Sequence, residues 1–171
     1  MKNKRYLVAK WILVALAIII NAYIIMQSCL NARESTSQSG FVFNFVKTLL
    51  NFFHKDTINE SNASWWHGFI RKAIGHFGLF MVDGIFTSWA LYYVLEDIEI
   101  TKKWWKKIAI SAIFGLLVAS LTEIIQLFVP GRAGDIKDVL IDYGGYILGL
   151  GIIVLIYWLV YRHNKRGQIV E

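Results

Sequence analysis

His76, Glu123, Asp138 and Asp142 are residues whose types suit proton transfer, and each falls within or beside a long apolar run. An ionisable side chain inside such a run is costly and normally faces other protein, which makes it a candidate for function. Lys72, His76 and Asp83 follow one another at spacings of four and seven, one stripe of a helix. Glu123 and Gln126 are three apart, with Ser120 behind them on the same face. Asp135, Asp138 and Asp142 recur at i, i+3 and i+7, and Arg132 stands in the Pro130-Gly131-Arg132-x-Gly134 turn just before them.

Four kinds of chemistry suit this set. Buried ion pairs, such as Arg132 with Asp138, would fix helix register. A histidine beside buried carboxylates would serve as general acid and base, with His76, Glu123, Asp138 and Asp142 as the catalytic candidates. The same four would suit Mg²⁺ or Mn²⁺, although no short metal motif such as H-E-x-x-H is present, and the expectation is no metal and no cofactor. Arg71, Lys72 and Arg132 would recognise a phosphate or carboxylate headgroup. The expected ligand-binding set is therefore Arg71, Lys72, His76, Glu123, Gln126, Arg132, Asp138 and Asp142. Whether it binds or catalyses stays open.

Apolar helices must position these residues. Runs of roughly 20 residues cross the ~30 Å hydrocarbon core of a bilayer as helices. Four are present, at about 7–26, 73–95, 108–129 and 139–161. The expected fold is an all-α integral membrane protein, a single domain over 1–171. The first run follows a basic start and is longer than a signal-peptide core, so it reads as a retained anchor. Trp65, Trp66, Trp104, Trp105 and Trp158 fall near span ends, where indoles favour the headgroup zone. Lys2, Lys4, Arg5 and Lys10, then Lys102, Lys103, Lys106 and Lys107, then Arg162, Lys165 and Arg166 occupy alternate exposed segments. Arg33, Lys47, Lys55, Arg71, Lys72, Arg132 and Lys137 are spread over longer stretches on the other side. That bias predicts cytoplasmic termini and brings the polar stripes together in a pocket opening outward.

The long segment 28–70 falls outside on this orientation. Asn31 to Gly40 reads as polar and turn-like. Phe41, Phe45, Leu49, Phe52 and Phe53 then recur at helical spacing, which predicts an amphipathic helix in the outer interface or across the bundle mouth. Gly145 and Gly149, four apart, predict close approach by another helix.

Composition excludes several classes. The chain is 56% hydrophobic with a mean hydropathy of +0.48, far from a soluble domain of 171 residues. A net charge of +6 raises nucleic acid, but the cations sit at span ends, so phospholipid headgroups are the expected counter-charge and nucleic acid is not a partner. One cysteine, Cys29, excludes an internal disulfide and reads as an inert thiol at the membrane edge.

Several segments together resemble the VanZ-like family of membrane proteins. They are Gln27-Ser28 with Ser35-x-x-Gln38-Ser39; Arg71-Lys72-x-x-x-His76-Phe77; Glu123-x-x-Gln126-x-x-x-Pro130-Gly131-Arg132 with Asp135-x-x-Asp138; and Asp142-x-x-Gly145-x-x-x-Gly149. The resemblance covers roughly residues 21–151. The chain departs from the family in reading Gly78-Leu79-Phe80 where a tyrosine or glutamate often follows the histidine, and in carrying Asp142 where some members have asparagine. The resemblance implies a cell-envelope protein that reduces susceptibility to teicoplanin, a lipid-tailed glycopeptide, and it brings no catalytic mechanism with it. The expected partners are membrane lipids and either such an antibiotic or a lipid-linked wall component. The rival is an intramembrane enzyme acting on a lipid headgroup or lipid-linked phosphate. The paired arginine and serine–histidine motifs of membrane phosphatases and the adjacent glutamates of CAAX-type proteases are absent from the chain. A small transporter subunit is a third possibility, without a visible inverted repeat. Oligomeric state is left open.

Overall fold

The computed structural model describes residues 4–167 and, within them, side chains up to Lys165, so Lys2 and the Arg166 side chain lie outside the described residues. The fold is all-helical, 85% helix with no strands among the described residues. In chain order, α1 spans Lys4–Ser28, α2 Ala32–Phe53 and α3 Ala63–Ile70. A π-helical segment, Arg71–Gly78, leads from α3 directly into α4, Leu79–Glu96. A short 3₁₀ turn, Glu99–Thr101, precedes α5, Trp104–Gln126, and α6 covers Ile136–Gly167. Among the described residues, four helices are long and apolar enough to cross a membrane: Lys4–Ser28, Ala63–Glu96, Trp104–Gln126 and Ile136–Lys165.

The second of these is longer than expected. Its 34 residues reach about 50 Å at 1.5 Å each, well beyond the ~30 Å core, with α3 and its Trp65 and Trp66 at the start of this length. The third ends at Gln126 instead of Val129, because the chain turns there into the loop before α6.

The polar stretch 31–40 is helix, not turn, and this corrects the expectation. Asn31 Oδ1 accepts the Glu34 N–H at 3.0 Å, and a Glu34 carboxylate oxygen accepts the Asn31 N–H at 3.2 Å. This reciprocal capping box satisfies two donors at the helix start and lets it begin nine residues before the aromatic run. Ser35 and Ser39 turn inward, while Phe41, Phe45, Leu49, Phe52 and Phe53 are all exposed. The helix is held to α3 by a 3.4 Å contact between Ser39 Oγ and His67 Nε2, and Asn51 clasps both backbone groups of buried Ile58 at 2.9 Å.

Main-chain approach between α4 and α6 sets the bundle's register. A Cβ on Gly145 would lie 2.2 Å from the Phe77 carbonyl oxygen, and one on Gly149 2.2 Å from that of Met81. From the other side, a Cβ on Gly84 would meet the Tyr146 carbonyl oxygen at 2.2 Å. Only glycine admits contacts this close, as the spacing of Gly145 and Gly149 predicts; Gly84 was not marked by the sequence. Tyr146, fully buried, packs with Ile24, Phe80, Val118, Ala119 and Val139 at the centre, so all four long helices contribute to the core.

Two features of the core are polar. Lys107, counted among the loop cations, is 5% exposed and reaches out to pair with the part-exposed Glu96. Asp83 is fully buried and accepts from Asn21 Nδ2 at 2.8 Å, with Thr87 also donating to it. Asp83 Oδ2 and Asn21 Oδ1 are both buried without a partner, on side chains already joined to each other. An amide at position 83 can keep the first bond and donate across the second gap, removing a penalty of about 1–3 kcal/mol. Asp83→Asn is therefore expected to unfold in detergent at the same temperature as the wild type or higher. A fall of more than about 4 °C, roughly 1 kcal/mol, would count against this account.

Candidate functional site

The site lies where the π-helical segment, the end of α5 and the start of α6 meet. An i→i+5 pattern takes more residues per turn than an α-helix, and such segments are frequent at functional sites. Here it presents both Lys72 and His76 to α6. Lys72 Nζ donates to Asp138 Oδ1 at 2.8 Å, and His76 Nδ1 lies 3.1 Å from Asp142 Oδ1. His76 Nε2 is 3.9 Å from Asp138 Oδ2, so the imidazole sits between two carboxylates one helical turn apart. Below Gly78 the helix returns to α geometry and Asp83 bonds to Asn21 on α1. The expected stripe of Lys72, His76 and Asp83 is thus divided, and Asp83 takes no part in the site.

Glu123 approaches from α5. Its Oε1 accepts from Gln126 Nε2 at 2.7 Å and its Oε2 from the Asp135 main-chain N–H at 3.0 Å. Gln126 Oε1 accepts from Arg132 Nε at 3.3 Å, and Arg132 Nη1 donates to the Leu30 carbonyl at 3.4 Å. Gly131 adopts φ 73°, a left-handed turn that brings Arg132 back over the end of α5. Asp138 is taken by Lys72, so the expected Arg132–Asp138 pair does not form. Among the described residues no carboxylate oxygen lies within 4 Å of Arg132. Burial, and secondarily the charge of Arg71, lowers its pKa from the ordinary arginine value, yet a guanidinium stays charged in a protein. It is a partly desolvated cation held by neutral acceptors.

A cavity of about 430 Å³ opens beside this cluster. Arg71, His76, Gln126, Arg132 and Asp142 line it, while Ile24, Ile70, Leu79 and Phe80 give it apolar wall. Of the expected ligand-binding set, Lys72, Glu123 and Asp138 do not line it; Glu123 bonds to Gln126, which does, and Lys72 pairs with Asp138. Ser28, Ser35, Gln38, Ser39 and Thr122 also line the cavity. Ser28, Ser35, Gln38 and Ser39 were marked only by the family resemblance, and Thr122 by nothing in the sequence. For α2 a local signal existed: Asn31-x-x-Glu34 is a helix start, and it places Ser35, Gln38 and Ser39 on one face.

Chemically, the cluster offers a histidine hydrogen-bonded to a buried carboxylate, a second carboxylate held by two N–H donors, and a cation on which Glu123 and Asp138 act only from beyond 4 Å. His76, Glu123 and Asp142 each offer a ligand atom within 4.8 Å of the others, a set able to hold a metal ion.

Comparison with known families adds one match. The model of the family described as VanZ/LLP1 matches residues 12–157, most of the chain. No curated protein and no solved structure matches it.

Proposed function

The chain belongs to the VanZ/LLP1 family, and from that premise we propose that it is an envelope membrane protein that lowers susceptibility to lipid-tailed glycopeptides such as teicoplanin. It does so by seating an amphiphile, either the antibiotic or a lipid-linked wall component, in the cavity between α1, α2, the π-helical segment and α6. Membership supports the link to glycopeptide resistance, and the four apolar helices support a multi-pass membrane location. The cation distribution favours cytoplasmic termini and a cavity at the outer face.

One observation carries the reading. Arg132 is a partly desolvated guanidinium at the wall of a largely apolar cavity, with no carboxylate within 4 Å among the described residues. Glu123 and Asp138 act on it only from a distance, so an anion from outside can pair with it directly, and an amphiphile supplies both the anion and the apolar tail. Arg71 adds a second positive charge to the lining. The exposed Phe41, Phe45 and Phe52 on α2 suit the headgroup zone beside the mouth.

The test is teicoplanin and vancomycin susceptibility of a sensitive strain expressing wild type, Arg132→Ala or Arg132→Lys at matched membrane levels. A charge-assisted hydrogen bond contributes about 1.5–3 kcal/mol, so Arg132→Ala is expected to weaken binding roughly tenfold or more and to remove protection. Arg132→Lys keeps the charge without the fork and should retain part of it. Undiminished protection by Arg132→Ala would overturn the anion contact.

A second reading rests on the His76–Asp142 bond of 3.1 Å. A histidine oriented by a buried carboxylate is equipped for acid–base chemistry on a lipid headgroup or lipid-linked phosphate. Turnover of a lipid extract by purified protein, lost in His76→Ala, would favour it over simple binding.

A further inference from the structure

We propose that His76, Glu123 and Asp142 form a site for one divalent transition-metal ion, Zn²⁺ or Mn²⁺, at the wall of the cavity. This deepens the amphiphile reading, and rests on it only for the role of the ion, not for its binding.

Convergence is the first support. The three side chains come from the π-helical segment, α5 and α6, yet their ligand atoms lie within 4.8 Å of one another. Ligand atoms at 2.0–2.2 Å in a tetrahedral site stand about 3.4 Å apart, so side-chain shifts on the order of 1 Å close the set around one ion.

Charge is the second, independent support. Glu123 is 5% exposed and Asp142 1%. Among the described residues neither has a lysine or arginine nitrogen within 4 Å: Lys72 goes to Asp138, and Arg132 to Gln126 and Leu30. Two buried carboxylates facing one imidazole are not fully compensated by it, with Arg132 acting on Glu123 only at longer range, and uncompensated buried charge is expensive. A divalent cation supplies the missing positive charge.

The surroundings are those of a ligand set. Both Glu123 oxygens accept N–H donors, from the Gln126 amide and the Asp135 main chain, which holds the group as an oriented carboxylate. Asp138, itself fixed by Lys72, stands 3.9 Å from His76 Nε2. Outer-shell bonds of this kind orient metal ligands in known sites. His76 and Asp142 also line the cavity, which leaves an approach for the ion and open coordination positions toward a bound anion. One nitrogen and two carboxylates suit Zn²⁺ or Mn²⁺, because imidazole is a poor partner for Mg²⁺ or Ca²⁺. The anionic group of the amphiphile would then be gripped jointly by the ion and Arg132.

The experiment uses the full chain, purified in detergent, stripped with chelator and titrated with Mn²⁺ in the absence of any amphiphile. Loss of the free-Mn²⁺ electron paramagnetic resonance signal reports binding, Zn²⁺ competes for the same site, and thermal unfolding is followed in parallel. The expected result is one ion per chain, a rise in unfolding temperature on loading, and at least a tenfold loss of affinity in Glu123→Gln and in Asp142→Asn. Both variants keep side-chain shape, and an unfolding transition without metal shows that each is folded. No stoichiometric binding by the wild type, or equal affinity in two folded variants, overturns the site. The outcome is separable from the resistance assay. A metal-binding chain that gives no protection defeats the amphiphile reading alone, and protection by a chain that binds no ion defeats the metal site alone.

Discussion

Gly145→Val is expected to prevent the protein from accumulating as a folded, monodisperse species in detergent, while Gly151→Ala, six residues along the same helix, behaves as wild type. A Cβ at 145 would sit 2.2 Å from the Phe77 carbonyl oxygen, 3.0 Å from its carbon and 3.2 Å from the Met81 nitrogen. All three are main-chain atoms of the facing helix, so no rotamer change relieves the collision. At position 151 nothing lies within 4 Å. Overpacking in a close-packed interior costs about 1–3 kcal/mol, occasionally more, and contact with backbone places this substitution at the upper end. The damage would also reach the site, because Gly145 is one turn from Asp142 and Phe77 adjoins His76. Forcing α6 away from that segment separates His76 from Asp142. Size-exclusion profiles of the two fluorescently tagged variants decide it, and a normal Gly145→Val profile would mean that the helices can part without loss.

Glu123→Ala should be the most destabilising change among the polar side chains of the site, and more so than Glu123→Gln. The carboxylate joins two places the chain must bring together, the end of α5 and the first residues leading into α6. Truncation leaves the Asp135 N–H and the Gln126 amide without their acceptor in a partly buried setting. Hydrogen bonds to charged groups contribute about 1.5–3 kcal/mol each, and an unsatisfied buried donor costs a similar amount. Glutamine retains an acceptor and should lose less. Thermal unfolding in detergent after chelator treatment, which removes any contribution from bound metal, is expected to place Glu123→Ala below both the wild type and Glu123→Gln. Equal unfolding temperatures for the wild type and Glu123→Ala would show that the loop holds its position without this bond.

Much of the architecture was legible in the sequence because the bilayer imposes a local rule. Without water in the hydrocarbon core, a crossing segment must satisfy its own backbone as a helix about 20 residues long, and such runs are visible one at a time. The same locality made the Asp138–Asp142 and Glu123–Gln126 faces readable, as well as the close-approach glycines 145 and 149. The start of α2 obeyed a local rule too, the Asn31–Glu34 capping box, but the polar composition of 32–40 obscured it. The expected Lys72–His76–Asp83 stripe failed because the π-helical segment changes the residues per turn, and no feature of its eight residues announces that change.

What the residues determined alone is therefore the set of spans and which polar groups lie on one face of each. Tertiary structure decided the partners. Asp138 had Arg132 six residues away in sequence and Lys72 on another helix, and it pairs with Lys72. Asp83, two turns along from His76, bonds instead to Asn21 on α1. Those choices follow from how far each helix slides and rotates against its neighbours, which the backbone contacts at Gly84, Gly145 and Gly149 set across the bundle. Helix periodicity is a property of one segment, whereas register between segments is a property of the packed whole.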